Sequence, residues 1–70
     1  MNETQIKLRE IVELQKEYQK MVSGKIPFTK RNLCALCVPF RDKHGLTDDQ
    51  VLRLVRKQMD ISEMINVVGL

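Results

Sequence analysis

Seventy residues with a net charge of +3 make a single small domain, too short for a nucleotide-binding α/β sheet with its crossovers. The charge excess is mild and excludes a nucleic-acid coat. At 43% hydrophobic residues the chain is too apolar for a disordered tail, and three Gly, two Pro and no Trp argue against a turn-rich β fold. The expectation is an all-α single-domain bundle of about four helices, spanning residues 1–70.

The spacing predicts a first, long helix over Thr4 to Ser23. At 100° per residue, Ile11, Leu14, Tyr18, Met21 and Val22 form one stripe, with Leu8 and Val12 at its edge. Arg9, Glu10, Glu13, Lys16, Glu17 and Lys20 take the opposite face. The stripe covers less than three heptads, so a core-facing helix is preferred to a coiled-coil seam. Gly24 stands where a C-terminal glycine belongs, and Pro27 follows.

Thr29 is the expected N-cap of a second, mostly apolar helix over residues 30–38. Pro39 is expected to break or kink it, leaving one further turn before Gly45. Thr47 and Gln50 are spaced as a capping box, with Asp48 and Asp49 at the positive end of a third helix that runs to about Met59. Val51, Leu54, Val55 and Met59 share its apolar face, and Arg53, Arg56 and Lys57 its basic face. Asp60 or Ser62 caps a last short helix from Glu63 to Val68, closed by Gly69.

The first twenty residues lack the apolar run of a signal peptide. No stretch is apolar enough to span a bilayer. Two cysteines without a secretory signal point to a reducing cytoplasm. No membrane partner is expected.

Cys34 and Cys37 form a C-x-x-C. Redox enzymes and zinc sites both use this spacing. Here the pair lies inside an apolar helix, and only His44, Asp42 or Asp48 could complete a metal shell. A structural pair is the favoured reading, with no metal and no cofactor. His44, the one histidine, suits a helix end or the surface. No nucleophile motif, glycine-rich loop or carboxylate pair is present, so no catalytic residue is assigned and a non-enzyme is expected.

Charge is unevenly distributed. Residues 21–45 carry Lys25, Lys30, Arg31, Arg41 and Lys43 against Asp42 alone. Together with Arg53, Arg56 and Lys57 they form a candidate basic surface for phosphates or for an acidic protein. Lys30, Arg31, Arg41, Lys43, Arg53, Arg56 and Lys57 are the candidate DNA contacts. The last ten residues hold Ile61, Met64, Ile65, Val67, Val68 and Leu70, too many apolar groups for one short helix to bury. Met64, Val67, Val68 and Leu70, with the Arg53, Arg56 and Lys57 triad, are the candidate protein-binding residues. If they belong to the core instead, the interface falls on the first helix around Leu8 and Val12.

Residues 46–70 resemble part of a helix-turn-helix transcription regulator of phage or bacterial type. Leu46-Thr47-Asp48-Asp49-Gln50-Val51-Leu52-Arg53-Leu54 resembles the capped helix before the DNA-reading pair. Asp60-Ile61-Ser62-Glu63-Met64-Ile65-Asn66-Val67-Val68-Gly69-Leu70 resembles the first helix of that pair with its glycine turn. The sequence stops where the family's recognition helix begins. The last helix, taken as reader, offers Glu63 but no Arg or Lys to a phosphate-lined groove. The expected function is therefore a small protein-binding regulator of a transcription factor, repressor or polymerase, similar to phage antirepressors or inhibitors. The alternative is a direct DNA-binding regulator acting as a homodimer.

Overall fold

The computed structural model describes residues 2–70. Four helices follow one another: α1 (Glu3–Val22), α2 (Lys30–His44), α3 (Asp48–Val55) and α4 (Ile61–Val68). The all-α expectation holds. α1 and α2 run antiparallel, bringing Glu10 to Lys43 at one end and Met21 beside Asn32 at the other. α3 packs across both. α4 lies against the start of α1, where Lys7 donates from Nζ to the Gly69 carbonyl at 3.2 Å.

Local chemistry sets the helix starts. Thr29, Thr47 and Asp60 each accept a backbone N–H three residues on. The Thr47–Gln50 capping box is complete in both directions. A second capping box, Asn2 with Gln5, opens α1 at Glu3, one residue before the expected start. Its N-x-x-Q spacing is visible in the sequence.

Helix interiors and ends correct the sequence reading at several points. α2 does not stop at Pro39 but continues to His44. The proline removes the donor for the Ala35 carbonyl four residues back. Ala35 and Pro39 both lie on the exposed side of α2, where water can replace that donor. α3 is shorter than expected and ends at Val55, with Lys57 in the left-handed region at φ 59°. There Lys57 N–H donates to the Leu54 carbonyl at 3.1 Å and Gln58 N–H to the Arg53 carbonyl at 2.8 Å. This is the Schellman arrangement, which satisfies the last carbonyls and turns the chain.

The core joins Ile11 and Leu14 of α1, Cys37 and Phe40 of α2, Val51, Leu54 and Val55 of α3, and Leu46, Met59 and Val68. Leu54 is fully buried. The expected apolar face of α3 is thus the buried face. Val22 departs from its expected stripe and is 54% exposed, while its neighbour Met21, 100° round the same turn, is buried. Glu10 departs in the other direction, turning towards α2 instead of solvent. Among the described residues, no helix is long and apolar enough to cross a membrane.

Candidate functional site

The candidate residues divide into three settings: neutralised, buried and free. Arg41 is tied to Asp42 and Asp48. Those two carboxylates, Asp48 foremost, push its guanidinium above its ordinary value. Lys43 pairs with Glu10 at 2.6 Å. Arg53 pairs with Glu63 across the α3–α4 turn. These three candidate DNA contacts are therefore spent on holding helices together.

Arg53, Arg56 and Lys57 do not share one helical face, because α3 ends before the last two. Arg56 donates from Nε to the Tyr18 hydroxyl at 3.2 Å, while Lys57 is exposed on the turn. Lys30 and Arg31 are exposed at the start of α2.

The four apolar candidates at the C-terminus do not behave alike. Val68 is a core residue at 5% exposure and is closed to any partner. Met64, Val67 and Leu70 are half-buried against the core. The side chains left in solvent are Ile61 at 73% and Ile65 at 46%. They rise on the α1 side of α4 and meet Leu8, with Thr4, Met64 and Leu70, in a groove of about 340 Å³. Val12, one helical turn beyond Leu8, is 45% exposed and extends the surface along α1.

The groove is built by two helix flanks. On α1, Thr4, Leu8, Gln15 and Gln19 lie on one flank with Val12, and none is charged. Gln15 is pinned there by its Nε2 donating to the Leu54 carbonyl at 3.1 Å. On α4, Ile61, Ser62, Ile65 and Asn66 are exposed and likewise uncharged. In a chain that is 30% charged, these adjoining flanks make an extended uncharged face. Arg9 and Lys16, one turn either side of Val12 on α1, border it.

The cysteines also separate. Cys37 is buried, and burial raises its thiol above the ordinary value, with Cys34 adding to the effect. A raised thiol is a poor nucleophile. Cys34 is exposed, which corrects the expectation that both are packed. Three residues correspond to 300° of helical rotation, enough to carry one cysteine off the buried stripe. Among the described residues, no three His, Cys, Asp or Glu side chains converge as a metal shell.

His44 lies deeper than the sequence reading placed it, with its side chain 9% exposed. Its ring packs tilted against Phe40, with centroids 4.4 Å apart and planes at 46°, and Nε2 donates to Glu10 at 3.2 Å. Lys43 and then His44 hold the Glu10 carboxyl below its ordinary range. The i,i+4 spacing of Phe40 and His44 is the one sequence signal for this cluster. Comparison with known proteins returned no matching family, no matching curated sequence and no matching solved structure.

Proposed function

We propose that this chain is a small non-enzymatic protein-binding regulator that acts on a transcription factor, repressor or polymerase. It docks through the α1–α4 face onto an amphipathic helix of its partner. One observation carries the reading: Leu8, Ile61 and Ile65 stand exposed in one groove lined by uncharged residues, with Val12 exposed one turn further along α1. Contiguous apolar surface of this kind on a small domain marks an interaction site. A groove between two helices suits a third helix laid into it, with apolar anchors every three or four residues.

The border supplies the polarity. Arg9 and Lys16 flank Val12, so the partner helix carries acidic residues beside its apolar stripe. The transcription setting rests on the helix-turn-helix resemblance of residues 46–70. Direct reading of duplex DNA is disfavoured, because Arg41, Lys43 and Arg53 are neutralised by carboxylates. The exposed side of α4 also offers a duplex no cation.

The test is affinity capture from host lysate with the wild-type chain and with Ile61→Asp/Ile65→Asp. Both positions are exposed, so the variant keeps its helical circular dichroism. The expected result is a component of the transcription machinery held by the wild type and lost from the variant. Retention of that component by the variant removes the α1–α4 face from consideration. If light scattering finds a wild-type dimer that the variant converts to monomer, the face belongs to a second copy, and the regulator reading fails.

A further inference from the structure

At the far end of the molecule from the C-terminus, cations and aromatic rings come together in a way the apolar groove does not use. We infer that this end binds single-stranded nucleic acid, stacking an unpaired base on Phe28 and holding phosphates with Lys25, Lys30, Arg31, Arg56 and Lys57.

Phe28 lies in the link between α1 and α2 and is 51% exposed. Its ring meets Tyr18 edge-on, with centroids 5.8 Å apart and planes at 73°. In a T-shaped contact, Tyr18 covers at most one face of the half-exposed Phe28 ring. Tyr18 in turn accepts the hydrogen bond from Arg56 at 3.2 Å. The contact brings the end of α3 to the side of α1 that carries Phe28. Two separate stretches of basic sequence therefore adjoin the aromatic pair: Lys25, Lys30 and Arg31 stand within three positions of Phe28 in the chain, and Arg56, with Lys57 next to it, reaches Tyr18.

All five cations are exposed, and none joins an ion pair among the described residues. No Asp or Glu occurs from Met21 through Arg41. The nearby Glu17 is already paired with Lys20 at 3.0 Å.

The ligand class follows from the pairing of the two features. Exposed cations alone fit any phosphate backbone or acidic chain. A half-exposed ring among them adds a stacking platform, and stacking needs an unpaired base with a free π-face. A duplex hides those faces inside its own stack, and the carboxylate side chains of an acidic peptide have none. Stacking on an aromatic ring is sequence-tolerant, so the expected preference is for single strands and not for a sequence.

The test uses the full chain and a fluorescein-labelled oligothymidine of about a dozen nucleotides, read by fluorescence anisotropy. The expected result is binding at about 50 mM salt that weakens steeply towards about 200 mM, with a log–log slope of up to about −3.5 for five phosphate contacts. Phe28→Ala should weaken binding by roughly ten- to a hundred-fold and Phe28→Trp should restore it. Circular dichroism checks that both variants fold. Ile61→Asp/Ile65→Asp should bind the oligonucleotide as the wild type does, so this site and the groove can fail separately. Three outcomes overturn the inference: no binding at low salt, equal binding of the matching duplex, or indifference to Phe28→Ala. Tighter binding of a glutamate homopolymer than of the oligonucleotide also overturns it, in favour of an acidic protein.

Discussion

Glu10 shows how one side chain can be misread from its neighbours in sequence. By helical rotation it sits among the charged residues of α1. In the fold it turns to α2 and accepts from Lys43 at 2.6 Å and His44 at 3.2 Å. Both contacts stabilise the ionised carboxyl, Lys43 more than His44, and lower its pKa in the folded chain from an ordinary 4.5. A lowered folded-state pKa means that the unfolded chain takes up the proton first as acid is added. The stabilisation is therefore complete above about pH 4.5 and disappears as pH falls through the lower folded value. Urea denaturation of the wild type and of Glu10→Gln across pH 3 to 7 should reveal this. The stability gap between them is expected to be constant near neutrality and to shrink in acid. A gap that stays constant in acid means that the two contacts contribute no electrostatic stability. The partners lie more than thirty positions away in sequence, so no local rule could have paired them. Arg56 with Tyr18, 38 positions apart, escaped the sequence reading for the same reason, and Arg53 with Glu63, ten apart, is also beyond the i,i+4 reach of one helix.

The helices themselves were far more legible than these pairings, because their signals are local. Thr29, Thr47 and Asp60 mark three starts, and the spacing of Val51, Leu54, Val55 and Met59 gives the buried side of α3 and its following turn. The ends were harder. Three helices close on glycines with positive φ, Gly24, Gly45 and Gly69, and each is visible in the sequence. α3 closes on Lys57 in the same geometry, and a lysine announces no such turn, which is why the expected helix ran on to Met59. This element carries a direct prediction. Lys57→Gly removes the left-handed strain, worth about 1–2 kcal/mol, and returns part of it as added freedom of the unfolded chain, about 0.4–1 kcal/mol. A net stabilisation of roughly 0.5–1 kcal/mol is expected from denaturant titration. A loss of stability would show that the Lys57 side chain makes a contact worth more than the strain.

At the scale of the whole molecule, the fold class followed from periodicity, while the division of apolar residues into core and surface did not. The last ten residues were correctly seen as holding more apolar groups than one helix can bury. Which ones stay exposed depends on the angle at which α4 meets α1, a tertiary fact. Val68 turned inward and Ile61 and Ile65 outward, and the first helix around Leu8 and Val12 became the other half of the same surface. The candidate cations were similarly thinned by pairing, leaving Lys30, Arg31, Arg56 and Lys57 together with Lys25. Two faces of opposite chemistry result on a body only 32 × 23 × 20 Å across. One is uncharged and apolar, the other basic and aromatic.

α4 supplies one wall of the groove, yet it has eight residues and buries only Val68 fully. A helix that short does not persist in water by itself. Its polar ties are the exposed Asp60 cap, the exposed Lys7 contact to Gly69 and the half-buried Arg53–Glu63 pair. Such a segment belongs to the least stable cooperative unit of a domain, opening without the rest. Amide hydrogen exchange should therefore find the α4 protons exchanging through a low-energy local opening, while those of Leu14, Leu54 and Val55 exchange only with global unfolding. Occupation of the groove then has a signature beyond contact: slowed exchange in residues 61–68, with α2 unchanged. The wall that recognises the partner is also the part that the partner completes.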